Sequence, residues 1–174
     1  MNSRKNIVII GGTACGPKAG ARARRCDPQA QITIIEQGGN LSTATCGLPY
    51  YVSGVIENQA SLVAVDPNYF GDVLGIDVFT ATQALAIDRQ AHRVELLDMM
   101  TKETSSIPYD KLVMATGSLP AVPPLEGRDL GGIFTLTKIK DANAIRKQVL
   151  ARSNGKVVII GAGLIGLEMA EAFV

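Results

Sequence analysis

The run Asn6-Ile7-Val8-Ile9-Ile10 is β-branched and apolar from its second residue, and glycine follows at once as Gly11-Gly12. A strand without polar alternation must be covered on both faces, which is the environment of a central parallel strand. Parallel strands need a crossover, and the next residues supply one. From about Pro17 to Cys26 the chain reads as a helix, with Ala19, Ala21 and Ala23 as small packing residues. Arg22, Arg24 and Arg25 stand towards its C-terminal end, where cations suit the helix dipole. Gln31 to Glu36 is the next strand. A βαβ unit of this size takes a right-handed crossover, so the chain is α/β.

The opening pattern recurs near the other end. Lys156-Val157-Val158-Ile159-Ile160 reads as a strand, Gly161-Ala162-Gly163-Leu164-Ile165-Gly166 as a glycine turn, and Leu167 to Val174 as the start of a helix. Ser153-Asn154-Gly155 before it is the expected linker, after a helix near Asp141 to Leu150. Two units are therefore expected, 1–152 and 153–174. The apolar face of Leu164, Leu167, Ala170 and Phe173 is expected to pack on residues beyond Val174, as in the opening part of a longer protein.

Between the repeats, Asp66-Pro67 predicts an N-cap and a first helical residue, opening a helix through about Val73 that stops near Gly75. Three short β-like pieces, Asp77 to Thr80, Gln83 to Asp88 and Arg93 to Leu97, predict a small antiparallel meander. Lys111 to Met114 then returns to the main sheet, and Pro120 to Pro124 leaves it in extended form.

Charge and cysteine content narrow the function. With 17 basic against 16 acidic residues, the chain lacks the basic footprint of a nucleic-acid binder. The apolar run after Arg4-Lys5 is too short for a signal peptide, and no later stretch approaches a membrane span. Cys15, Cys26 and Cys46 are odd in number, have no metal-ligand spacing and are joined by a single histidine, His92. A disulfide framework or metal site is not expected, and a reducing, cytoplasmic location fits.

A glycine turn between a buried strand and a helix lets backbone N–H groups approach a pyrophosphate at the helix N-terminus. The first copy is Gly11-Gly12-Thr13-Ala14-Cys15-Gly16, with Thr13 in the place of the second glycine of the usual pattern. Glu36 closes the next strand 20 residues after Gly16, where a carboxylate can accept from ribose hydroxyls. The second copy matches the full pattern at Gly161, Gly163 and Gly166, with Glu168 following. Two dinucleotide sites in one polypeptide point to hydride passing from a nicotinamide to a flavin. Glycines that only end strands tightly are the plainer reading of such loops, and Glu36 argues independently against it for the first.

The motifs together resemble a known family. The order Gly11-Gly12-x-Ala14-x-Gly16, Arg22-x-Arg24-Arg25, Glu36, Ser42-x-x-x-Cys46-Gly47-Leu48-Pro49-Tyr50-Tyr51, Ala115-Thr116-Gly117-Ser118-x-Pro120 and Gly161-Ala162-Gly163-x-x-Gly166-x-Glu168 resembles the pyridine nucleotide-disulfide oxidoreductases. It is most similar to their single-cysteine branch of coenzyme A disulfide reductases, NADH oxidases and peroxidases, and polysulfide reductases. The resemblance implies a Rossmann-like FAD-binding domain with a parallel central sheet and small β-meander, then the first strand and helix of a Rossmann-like NADH or NADPH domain. By it, Gly11, Gly12, Thr13, Ala14 and Gly16 meet the FAD pyrophosphate, Glu36 the adenosine ribose, Ala84 the adenine, and Thr116 and Gly117 the cofactor's flank. Arg22, Arg25, Ser42 and Thr45 fall where coenzyme A is approached, although relatives usually have asparagine where Thr45 stands. A homodimer is implied for the whole protein.

The same resemblance gives Cys46 its role. Dithiol members carry a second cysteine five positions on, where this chain has Tyr51. Cys46 is then expected to cycle between thiolate and mixed disulfide with a small thiol such as coenzyme A. A sulfenic acid in an NADH oxidase or peroxidase is the alternative, against which stands the missing histidine in the first glycine loop. A non-catalytic dinucleotide-binding module is the alternative of another class. Cys26 is read as structural, Cys15 as shielded by the packing of its loop on the cofactor and His92 as a surface hairpin residue. The 174 residues alone are expected to retain flavin weakly or not at all, and a stoichiometric yellow preparation would overturn that expectation.

Overall fold

The computed structural model describes residues 4–152 and 155–174. Ser153-Asn154 of the expected linker lie outside the described residues. Along the chain run β1 (Asn6–Ile10), α1 (Cys15–Cys26), β2 (Gln31–Ile35), α2 (Leu48–Ser53), α3 (Pro67–Asp72), β3 (Asp77–Phe79), β4 (Thr82–Asp88), β5 (Arg93–Asp98), β6 (Thr104–Pro108), β7 (Lys111–Met114), α4 (Ile139–Leu150) and α5 (Leu164–Ala172). They fall into two compact units. One comprises Met1–Thr43 with Val63–Gly117, the other Ala44–Leu62 with Ser118–Val174.

In the first unit a parallel sheet has the order β3-β2-β1-β7. Its apolar strands are buried on both faces, as the unbroken β1 run requires. Ile9, Ile32 and Ile34 point into one cluster with Phe70, Ile76 and the small Ala19 and Ala23 of α1. Val8, Ile10 and Ile35 point into another with Val94 and Leu96 of β5. Alternate side chains of a strand face opposite ways, so helices cover one face of this sheet and a three-stranded antiparallel sheet, β4-β5-β6, covers the other. Truncating Ile9, which is fully buried, would leave a cavity costing about 2–5 kcal/mol.

The α/β class, the βαβ unit and the Asp66 cap stand as expected; the Asp66 carboxylate accepts the Asn68 amide at 2.9 Å. The meander is built differently. Asp77–Phe79 is not part of it but pairs in parallel with Thr33–Ile35, and its third strand is Thr104–Pro108. In that strand Ile107 alone of Thr104-Ser105-Ser106-Ile107-Pro108 packs on the core, so its pairing with β5 rests on backbone bonds and one side chain. Helix α1 also starts two residues before Pro17.

Arg24 is not a solvated helix end. Its guanidinium donates to four carbonyls: Nε to Leu74 at 2.7 Å, Nη1 to Pro28 at 2.8 Å and to Ala30 at 2.7 Å, and Nη2 to Gly75 at 2.7 Å. A planar fork can join the loop after α1 to the loop after α3 in this way, and an ammonium cannot.

In the second unit α2, α4 and α5 meet through Leu48, Tyr51, Val52, Leu62, Ala142, Ile145 and Met169. Helix α4 begins where Asp141 reaches back to accept the Thr137 and Lys138 amides at 3.0 and 2.9 Å. The strand expected over Lys156–Ile160 does not form. A parallel strand exists only through its ladder, and among the described residues nothing pairs with this segment, whose Val158 is 84% exposed. The helix after it starts earlier than expected, at Leu164, and turns Met169 and Phe173 inward while Leu164 and Leu167 stay exposed. Among the described residues no helix is long and apolar enough to cross a membrane.

Arg24→Ala should lower unfolding stability by about 2 kcal/mol, the scale of lost hydrogen bonds from a charged donor. Arg24→Lys should recover less than half of it, read as a shift in urea midpoint at constant slope.

Candidate functional site

The first glycine loop is defined by places where no Cβ fits. Gly11 has φ +111°, and a side chain there would run into the Ala115 carbonyl and come within 3.2 Å of the Thr116 amide nitrogen. A Cβ on Gly16 would overlap the Gly11 carbonyl and press on Ile9. Helix α1 therefore starts directly against the end of β1. Its N-terminus has no side-chain cap and no acidic residue in the first turn, so its free N–H groups are left for an anion. Thr13, Ala14 and Cys15 are all exposed around it.

Glu36 fits less simply. One carboxylate oxygen accepts the Gly12 amide at 2.6 Å and the other the Gly38 amide at 2.6 Å. The side chain thus ties the glycine loop to the turn after β2, while its remaining lone pairs can accept ribose hydroxyls. The Gly12 carbonyl is held from the other side by the Ser42 amide at 2.7 Å, and the Ser42 carbonyl accepts from Ala64 at 2.9 Å. Ser42 adopts φ +56°, a strained value for a residue with a side chain, and these two bonds hold it there. The Gly12–Glu36 and Gly12–Ser42 bonds have no signature in the spacing rules, because both join residues distant in sequence.

The structure thus brings Gly11, Gly12, Gly16, Glu36, Ser42, Thr116 and Gly117 into one connected region of the first unit. Ala84 lies apart on β4, opposite Leu96 and beside the bulge between Ala84 and Ala86. Arg22 and Arg25 are exposed on α1 and form no hydrogen bond or ion pair among the described residues. The glycine cradle, uncapped helix and carboxylate fit a dinucleotide such as FAD.

The second glycine loop repeats the first. Gly161 also has φ +111°, and a Cβ on Gly166 would overlap the Gly161 carbonyl and lie 3.5 Å from Ile159. Among the described residues no wall corresponds to Ala115, since none of their atoms lies within 4 Å of a Cβ placed on Gly161.

The cysteine belongs to the second unit. Thr45–Gly47 form a 3-10 turn that leads into α2, and Gly54 ends that helix at φ +90°. Cys46 is exposed and free, like Thr45 beside it. Cys15 and Cys26 are exposed too, so the expectation of a structural Cys26 fails: its side chain is not taken into the packing. His92 stands in the β4–β5 turn, exposed and stacked on Tyr109 at 5.4 Å. Tyr51 is buried, which sequence spacing leaves undecided.

The pyridine nucleotide-disulphide oxidoreductase family model matches residues 5–174. A CoA-dependent NAD(P)H sulfur oxidoreductase of Pyrococcus abyssi is 39% identical over 98% of the chain, and an NADH oxidase of Methanocaldococcus jannaschii 32% identical over 94%. The chain spans 37% and 36% of these two relatives. The crystal structure of the reduced CoADR-RHD protein of Bacillus anthracis superposes with a TM-score of 0.92 at 30% identity, over 98% of this chain and 31% of that one.

The crowding at Gly16 has a direct check. Gly16→Ala should lower stability by about 1–3 kcal/mol through overpacking against Gly11. Gly39→Ala, where a Cβ meets nothing within 4 Å, should stay within about 0.5 kcal/mol in the same denaturant titration.

Proposed function

Because the chain belongs to the pyridine nucleotide-disulphide oxidoreductase family, we propose that it carries the FAD-binding start and redox cysteine of an NAD(P)H-dependent disulfide reductase. The substrate class is coenzyme A disulfide or a related persulfide or polysulfide. Residues 1–152 form the first segment of a discontinuous FAD domain and 153–174 the opening of the NAD(P)H domain. The matching φ and contact geometry of the two glycine loops supports that division.

One observation carries the choice of mechanism: Cys46 is an exposed thiol, and the position five residues on is a buried tyrosine. With no partner at that position, the second sulfur of the redox disulfide comes from the substrate. The Cys46 thiolate attacks one substrate sulfur, a mixed disulfide forms, and the first thiol leaves. What FAD supplies when bound is an electron pair drawn from NAD(P)H, which sets the second thiol free and restores the Cys46 thiolate. Gly11, Gly12, Thr13, Ala14 and Gly16 hold its pyrophosphate, Glu36 its ribose, Ala84 its adenine, and Thr116 and Gly117 its flank. The loop at Gly161, Gly163 and Gly166 takes the pyrophosphate of NADH or NADPH.

Arg22 and Arg25 have guanidinium donors unused among the described residues, which suits the phosphates of coenzyme A, with Ser42 and Thr45 as further contacts. A reducing, cytoplasmic location fits three exposed free thiols, and the homodimer rests on the family resemblance alone. A sulfenic acid at Cys46 is the second reading, favoured by the NADH oxidase relative.

In the full-length polypeptide, Cys46→Ser should keep flavin absorbance and lose NAD(P)H-dependent reduction of coenzyme A disulfide; undiminished turnover would refute the mechanism. Rapid NADH-dependent oxygen consumption without disulfide reduction would select the sulfenic acid reading. Arg22→Ala with Arg25→Ala should raise KM for coenzyme A disulfide about tenfold while leaving kcat nearly unchanged, the mark of lost uniform binding.

A further inference from the structure

Helix α2 spans six residues, too few to be stable alone. It packs on α4 and α5, and α4 adds polar bonds. The Tyr51 hydroxyl donates to Asn143 Oδ1 at 2.8 Å, and Asn143 Nδ2 donates to Gln59 Oε1 at 2.8 Å. The Arg146 guanidinium lies over the Tyr51 ring, 4.5 Å from its centroid. Its Nη1 also donates to the Ile56 and Glu57 carbonyls at 3.2 Å each, on the segment that follows α2. That segment is folded back on the helix by the Ile56 amide, which donates to the Tyr50 carbonyl at 2.9 Å. One tyrosine thus joins α2, the loop after it and α4, and Cys46 sits in the turn at the other end of α2.

We propose that Asn143 and Arg146 are positioning residues for Cys46, acting through Tyr51. Among the described residues neither forms a hydrogen bond with the thiol, and both fix the helix into which the turn of Cys46 leads. The side chain at the position of the absent second cysteine therefore has a task of its own. The proposal rests on Cys46 being the redox residue only for its significance; the geometry of the anchor is independent of that chemistry.

The test uses the full-length polypeptide and follows iodoacetamide labelling of each cysteine by peptide mass spectrometry across a range of pH. Exposed Cys26, in the other unit, is the internal reference. Arg146→Ala and Asn143→Ala should shift the pH profile of Cys46 labelling and change its rate at neutral pH by about two- to fivefold, the scale of a cation–π contact or hydrogen bond. Arg146→Lys, which keeps a cation for the ring, should restore most of the parental profile. Tyr51→Phe removes only a hydroxyl and should shift the profile in the direction of Asn143→Ala, which keeps the idea testable if a larger change unfolds the protein. An unaltered Cys46 profile in all variants, or Cys46 and Cys26 moving together, would overturn the proposal. Labelling reads the position of the thiol, whereas turnover of Cys46→Ser reads its chemistry, so the two ideas fail separately.

Discussion

The contact between the α carbon of Gly16 and the carbonyl of Gly11 is the constraint on which the first unit depends. It allows α1 to start against the end of β1, which sets the crossover to β2 and packs Ala19 and Ala23 on the isoleucine cluster. A Cβ at Gly16 would push helix and strand apart and remove the concave turn between them. The same contact recurs between Gly166 and Gly161, where among the described residues no sheet is paired around it. The turn is therefore a local property of the glycines and the helix at fixed spacing, and the paired strands of the first unit add the wall at Ala115.

Polar bonds complete what the glycines begin. Gly12 is gripped on its N–H by Glu36 and on its carbonyl by Ser42. Glu36 is thereby both a binding group and a brace, and its two oxygens serve Gly12 and Gly38. Ser42 remains at φ +56° because its own N–H and its own carbonyl are both hydrogen-bonded, to Gly12 and Ala64. Strain of this kind persists only where the surroundings over-determine it.

Much of this was legible along the chain. The strands of the βαβ unit, the Asp66 cap and the turn from Cys46 into a short helix ending at Gly54 follow from apolar runs, cap residues and a left-handed glycine. The edges of the two sheets were not. Asp77–Phe79 and Thr104–Pro108 are short and weakly patterned, and which sheet each joins depends on the backbone donors that a distant strand leaves open. Arg24 looked like its neighbours Arg22 and Arg25, and only the positions of four carbonyls separate it from them.

By itself the sequence determined the α/β class, the paired glycine loops and the single thiol with tyrosine at the position five residues on, since these rest on residue identity and local spacing. Tertiary structure alone decided that Glu36 and Ser42 clasp Gly12 through its N–H and its carbonyl, that Arg24 braces two loops, and that Tyr51 is buried beneath Arg146. Each of these joins groups far apart in the chain. Hydrogen bonds and cation–π contacts depend on distance and direction in space, and no periodicity in sequence records them.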